Sequence, residues 1–251
     1  MTSPRTTSNR LTYDDARMAA IYDIDNPDGE DHDFFRQVAR EADARRIVDL
    51  GCGTGILTVT LADKGRSVIG IDPAAAMLEI ARTRPGGQNV EWRLGTSELI
   101  DPTWADLVIM SGNVAMHLIG TDWHAALAHI TAGLAPSGRL VFETRNPVRR
   151  AWESWQRDPT ERMTPAGRVI ESETTTTPDR DGVVTMHVRT EFPDQGDTAQ
   201  ITQHLQFRSE EQIRTDLAQA GLRVERISRD WRRGPFDVSR DALMVVEARH
   251  A

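Results

Sequence analysis

Three groups of residues in this 251-residue chain have types and spacings that suit chemistry. The first is Val48-Asp-Leu-Gly-Cys-Gly-Thr-Gly55, which begins in a short apolar run and leads into a helix-like stretch. Glycines so placed let the backbone turn tightly at Gly51, approach a ligand closely at Gly53 and pack a helix against a strand at Gly55. The second is Asp72, which ends the run Ile69-Gly-Ile-Asp72, about 20 residues beyond the first glycine. Its two oxygens can accept from both hydroxyls of a ribose. Strand, glycine turn, helix and acid in that order describe a pocket for a nucleotide or another adenosyl ligand.

The third group is set by strand ends, where ligands of open α/β sheets collect. His117, in Asn113-Val-Ala-Met-His117, lies just past the fourth apolar run; a histidine with a pKa of about 6.5 suits general-base work on a hydroxyl or an ammonium. Packing at a helix start is the other reading of His117. Glu143, Arg145 and Asn146 end the fifth run, where they could orient a polar acceptor or pair with one another. Trp152 and Trp155 follow, with faces that shelter a cation, stack on a ring or pack a loop onto the core.

The elements that must position these residues are legible as a rhythm. Between 45 and 145, short apolar runs at 47–50, 68–71, 90–94, 107–110 and 140–142 alternate with helix-like stretches at 56–64, 74–82 and 122–134. That alternation implies right-handed crossovers and a doubly wound, mostly parallel sheet, which the last two strands would bring to seven. Ala-Pro-Ser-Gly at 135–138 predicts a turn between helix and strand. Beyond Pro147 the pattern changes to runs rich in β-branched residues at 168–177, 183–192 and 199–207, which predict a three-stranded antiparallel meander. Ser209-Glu-Glu-Gln212 opens a helix with a capping-box pattern, and strands follow near 222–228 and 242–248. The chain thus divides into a helical cap (1–44), an α/β core (45–146), a β insertion over the substrate site (147–207) and a completion of the core (208–251). The acidic stretch 23–33, which includes His32, lacks the regular alternation of a calcium loop and reads as solvated loop.

Composition removes several function classes. Apolar residues make up 39% and charged residues 27%, an ordinary globular balance. No run nears the roughly 18 apolar residues of a membrane span, and the polar first ten residues read as a loose tail rather than a secretory signal. A formal charge of −8 argues against gripping nucleic-acid phosphates. Lys64 is the sole lysine and no phosphate-loop lysine motif occurs, which disfavours NTP hydrolysis and Schiff-base chemistry. Cys52 is the sole cysteine, so no internal disulfide or cysteine-built zinc site exists, no metal is expected, and a reducing cytoplasm is the expected location.

The stretch 48–55 together with Ile71-Asp-Pro-Ala-Ala-Ala-Met-Leu78 closely resembles the first two motifs of class I S-adenosylmethionine-dependent methyltransferases. The glycines run G-x-G-x-G after an acidic Asp49, where a dehydrogenase usually shows G-x-G-x-x-G. The resemblance continues through 94–99, 105–110 and 134–142 and the terminal helix and strand pair. It implies S-adenosyl-L-methionine as cofactor, with Gly51, Gly53 and Gly55 flanking the methionine and ribose and Cys52 contributing backbone. It places Asp49 under the amino-acid end, Asp72 on the ribose, and Pro73 and Met77 as adenine walls. Thr96 stands where the family often has an aspartate for the adenine amine, with the Ser97 backbone serving the ring. Ser111 would offer a backbone carbonyl near the sulfonium, and Tyr22 a hydrogen bond near the methionine carboxylate.

Strand four ends in Ser111-Gly-Asn113, not the Asp/Asn-Pro-Pro-aromatic motif of nucleobase and glutamine amino-methylating enzymes. The β insertion is similar to the lid of small-molecule methyltransferases, particularly those acting on amino sugars and natural-product scaffolds. A small polar metabolite methylated at nitrogen or oxygen is therefore expected, with His117 and Glu143 as catalytic candidates and Asn113, Arg145, Asn146, Trp152 and Trp155 around the acceptor. No nucleic-acid or membrane partner is expected, and a homodimer is compatible with the sequence. A nicotinamide oxidoreductase and a non-catalytic cofactor-binding module remain as alternatives.

Overall fold

The computed structural model describes residues 13–63 and 65–251; the polar tail read from the first ten residues and Lys64 lie outside them. Helices α1 (Ala16–Asp25) and α2 (Glu30–Glu41) precede an alternation of β1 (Arg46–Leu50), α3 (Thr58–Leu61), β2 (Ser67–Asp72), α4 (Ala75–Thr83), β3 (Val90–Leu94), β4 (Ala105–Met110), α5 (Val114–His117), α6 (Thr121–Gly133) and β5 (Leu134–Arg145). The insertion contributes β6 (Arg157–Thr164), β7 (Gly167–Thr175), β8 (Val183–Phe192) and β9 (Asp197–Gln206), and α7 (Glu210–Gln219), β10 (Leu222–Ser228) and β11 (Leu243–His250) close the chain.

The core sheet has seven strands in the order β10-β11-β5-β4-β1-β2-β3. All run parallel except β11, which pairs antiparallel with both β5 and β10. Its strands are near-continuous apolar runs because helices cover both faces: Val48, Val108 and Phe142 pack with α6 and α7 on one side, and Ile47, Ile109 and Val141 with α2 on the other. The chain leaves β1 towards β2 and β3, then returns to place β4 on the other side of β1. That reversal leaves a crevice at the carboxyl ends of β1 and β4, where open α/β sheets bind ligands.

Three expectations change. The meander has a fourth strand, β6, and forms a separate antiparallel sheet β6-β7-β8-β9. β6 is an edge strand, mostly exposed and carrying Pro159, so it shows no apolar alternation to read. The stretch 135–138 is not a free turn but part of β5, where a Cβ on Gly138 would stand 2.7 Å from the Ala105 carbonyl. The acidic stretch 23–33 is not a loop: α1 runs through Asp25, and α2 begins at Glu30 with Asp31 and Asp33 in its first turn. Acid there suits the positive end of the helix dipole, while Phe34, Phe35, Val38 and Ala39 bury the opposite face.

One face of the insertion sheet packs on the cap and on α5. Val169, Phe192 and Ile201 meet Met18 and Ile21 of α1, and Val184 and Leu205 meet Met116 of α5. Polar ties fasten the same contact: Arg17 reaches Asp197, Arg162 reaches Asp25, and Gln203 donates to the Tyr13 hydroxyl at 2.8 Å. α1 is tied to the core as well, since Asp23 accepts from Thr54 and Arg84 and Asp14 caps α4 through the Ala75 N–H.

Candidate active site

The glycine loop is held open by backbone geometry. Gly51, Gly53 and Gly55 all lie at positive φ, +75°, +54° and +73°, a region that costs a side-chain-bearing residue energy. The reasons differ along the loop. A Cβ on Gly51 would sit 2.4 Å from Val114, and one on Gly55 2.6 Å from Trp92, so these two positions are closed by packing. At Gly53 the nearest atom is Tyr22 Cε1 at 3.9 Å, so this side of the loop faces open space. The Gly51 and Cys52 N–H groups donate to the Ile71 carbonyl, which fixes the loop against β2.

Asp72 stands across that loop with its carboxylate already aimed. Its Oδ2 accepts from the Gly53 N–H at 2.9 Å and its Oδ1 from the Ala74 N–H at 2.8 Å. Burial pushes its pKa up, and the two N–H donors counter that. Each oxygen keeps a lone pair for a further donor. Asp49, beneath the loop, is buried; Thr58 donates to its Oδ2 at 2.6 Å, while Oδ1 has no partner. Burial raises its pKa to about 6. An unpartnered buried carboxylate oxygen is costly unless a donor arrives, and an ammonium is such a donor. A chamber of about 260 Å³ opens between the loop and the cap, bounded by Tyr22, Asp31, His32 and Gly53 and by Ser111 and Gly112 at the end of β4. A carboxylate with lone pairs to spare at Asp72, a Cβ-free backbone face and an orphaned carboxylate oxygen fit the expected cofactor.

Not every cofactor candidate faces this space. The Cys52 side chain turns inward towards Gly70, and burial holds its thiol well above its ordinary pKa, leaving only backbone to contribute. Met77 is buried among Ala19 and Ala74 under α1, where it seats α4 rather than walling an open site; Pro73 stays exposed. The Thr96 hydroxyl is bonded to Glu98, and the Ser97 hydroxyl is 3.0 Å from His129 Nδ1 on α6. The backbone of this turn is what remains for an adenine.

Beyond Gly112 the acceptor candidates separate. Glu143 is 2% exposed; its Oε1 accepts from the Asn113 N–H at 2.7 Å and its Oε2 has no partner. Burial raises its pKa to about 8, with a nearby Asp31 adding to the shift. Arg145 donates through Nε to Asn113 Oδ1 at 3.1 Å, so Asn113, at φ +62°, is held from both sides. Asn146 differs from expectation: its amide donates to the Val238 and Asp241 carbonyls and its oxygen accepts from the Val148 N–H, which makes it a loop anchor rather than an acceptor contact. Trp152 is buried, with its ring 4.7 Å from that of Phe207, and Trp155 lies half-buried against the same phenylalanine. Both pack the root of the insertion.

His117 also departs from expectation. It has no hydrogen-bond partner among the described residues, and burial lowers its pKa from 6.5 to about 4. It is therefore neutral at physiological pH and a weaker base than an ordinary histidine. Its helix is fixed by Arg208, which donates to the Ala115 and Leu118 carbonyls and lies over the Trp123 ring at 4.3 Å. The sequence shows Arg208 only as one arginine among many. His32, assigned to a solvated loop, is instead 7% exposed and lines the chamber; its place in the apolar rhythm of α2, just before Phe34 and Phe35, was the signal available.

Comparisons with known proteins bear on the fold and the domain. Residues 47–138 match the family described as "Methyltransferase domain". Over 108 residues the chain is 36% identical to the ubiquinone biosynthesis O-methyltransferase of Paramagnetospirillum magneticum, covering 42% of this chain and 43% of that protein. The chain therefore spans less than half the length of the curated relatives it matches. Among solved structures, the CcbJ methyltransferase from Streptomyces caelestis superposes with a TM-score of 0.76 at 22% identity, over 96% of this chain and 99% of that one. CalS10 bound to S-adenosylmethionine, an amino pentose methyltransferase from Micromonospora echinaspora, superposes at 0.60 and 22% identity, over 90% and 96%.

The fold is that of the class I S-adenosylmethionine-dependent methyltransferases. Residues 47–138 match a methyltransferase domain, and the antiparallel sheet lies between β5 and α7.

Proposed function

We propose that this chain is a methyltransferase that uses S-adenosylmethionine to methylate a nitrogen or oxygen of a small polar metabolite. The observation that carries the reading is the placement of three features at one end of the sheet: Asp72 tied to Gly53, the chamber beyond that loop, and the unpartnered Oε2 of Glu143 past Gly112. Asp72 and the glycine backbone would hold the ribose, Asp49 the amino-acid end, and the turn at Thr96 and Ser97 the adenine. When bound, the cofactor supplies an electrophilic methyl carbon on a sulfonium.

The chain's own task is then to present a neutral nucleophile and to exclude water. Glu143, ionised, receives a proton from an ammonium or hydroxyl acceptor, while Asn113 and Arg145 hold its geometry. His117, neutral, accepts a hydrogen bond from the acceptor. The β6–β9 sheet and α1 form the cover over the site, and the polar ties between them set its closure. The relatives include an O-methyltransferase and an amino pentose methyltransferase by name, and the acceptor atom follows neither name by itself.

The test is a metabolite-extract screen with methyl-labelled cofactor, followed by identification of the labelled product. Label in a small amine or hydroxyl compound supports the reading; label absent from every fraction while the cofactor binds leaves a binding module. Binding of NAD in preference to S-adenosylhomocysteine would replace it with an oxidoreductase.

A further inference from the structure

The chamber beside the glycine loop holds a side chain that the cofactor contacts above leave unused. His32 Nδ1 lies 2.9 Å from Asp28 Oδ1, an oxygen that also accepts from Arg36. A carboxylate only accepts, so Nδ1 carries the hydrogen and the ring is fixed in one orientation. Nε2 is then the free end, a lone pair in the neutral ring and an N–H donor in the imidazolium. It stands 3.9 Å from Asp31 Oδ2, beyond hydrogen-bond reach, and has no other partner among the described residues.

The lining of this chamber contains no arginine and no lysine among the described residues, so His32 is its one side chain able to carry positive charge. Acid is present beside it: Asp25 and Asp31 line the same space, and His32 faces Asp49 closely enough to lower its pKa. Asp72 places the ribose at the β2 end, and the chamber lies on the β4 side of the loop. What enters it is the portion of the ligand beyond the ribose, an amino acid with one carboxylate and one ammonium. An imidazolium among these acids is complementary to that pair of charges.

We propose that His32, as an imidazolium that donates Nδ1–H to Asp28 and Nε2–H into the chamber, binds the carboxylate of the cofactor's amino-acid end, while Asp31 and Asp49 receive the ammonium. This rests on the cofactor reading above. His32 is thereby the residue that distinguishes the intact amino-acid group from a bare alkylamine.

Calorimetric titration of the full chain with S-adenosylhomocysteine and with its decarboxylated analogue tests this. The wild type is expected to prefer the carboxylate-bearing ligand by about 10- to 100-fold, the range of one charge-assisted hydrogen bond. His32→Gln should weaken S-adenosylhomocysteine by a similar factor and leave the decarboxylated ligand within about twofold, which also shows that the variant is folded. Unchanged affinity for S-adenosylhomocysteine in His32→Gln, or equal weakening of both ligands, would overturn the proposal. A wild type that binds neither ligand would remove the cofactor reading itself, and this inference with it.

Discussion

The Asp72 carboxylate accepts the Gly53 N–H at 2.9 Å, tying the end of β2 to the exposed face of the loop that follows β1. One bond thus fixes both walls of the crevice relative to each other, and the same carboxylate keeps lone pairs for a ligand. Asp72→Ala removes the wall tie and the ribose acceptor together. Calorimetry should show S-adenosylhomocysteine binding weakened by about 100-fold, the loss of charge-assisted bonds to two hydroxyls. Unchanged affinity would take the ribose away from Asp72.

Gly51 and Gly53 are expected to respond differently to the same substitution. Gly51→Ala adds a Cβ at 2.4 Å from Val114 at positive φ, so the cost falls on the fold, about 1–3 kcal/mol by thermal unfolding. Gly53→Ala meets nothing nearer than 3.9 Å, so its cost is the backbone conformation alone, about 1 kcal/mol. Its Cβ points instead into ligand space, and cofactor affinity should fall by at least tenfold while the protein stays folded. Similar melting and similar binding in the two variants would contradict the assignment of the open face.

Asp49 gives the cofactor site a pH limit. With a pKa raised to about 6 by burial, it is ionised at neutral pH and becomes protonated as pH falls below that value. An ammonium prefers the ionised form, so S-adenosylhomocysteine affinity should decline as pH drops through about 6. In Asp49→Asn affinity should be lower at neutral pH and lack that decline. A wild-type profile with no inflection there would place the ammonium elsewhere.

Glu143 makes two opposite demands. Its folded pKa of about 8 lies above the ordinary 4.5, so its contribution to stability is present below the lower value and is lost as pH rises towards the higher one. Glu143→Gln is neutral throughout; its melting temperature should match wild type near about pH 5 and exceed it by several degrees at about pH 8. Turnover should behave in the reverse sense. As a proton acceptor Glu143 must ionise, so wild-type kcat/KM should rise through about pH 8, and Glu143→Gln should lose the rise and about 10²- to 10⁴-fold of rate.

His117→Ala should lower turnover by more than it lowers cofactor affinity, since the imidazole lies on α5, beyond the glycine loop. A fully active variant would make His117 a packing residue.

The core of this fold was readable because its physical signals are local. Short apolar strands, the glycine turn and Asp72 each follow from a few adjacent residues, and their order implies the parallel sheet. The edge strand β6 carried no such signal, because an exposed edge needs neither apolar residues nor alternation. His32 and Arg208 were missed for another reason: what they do depends on partners distant in the chain, Asp49 for one and the α5 carbonyls for the other. The His117 pKa likewise comes from burial that no neighbouring residue reveals. Asn146 follows the last residue of β5, yet its amide turns to the loop before β11.

The most direct measurement is an equilibrium titration of the full chain with S-adenosylhomocysteine and, separately, with NAD. Saturable binding of the thioether nucleoside, lost in Asp72→Ala, together with no measurable NAD binding, is the expected result. Saturable NAD binding with no response to S-adenosylhomocysteine would contradict the account.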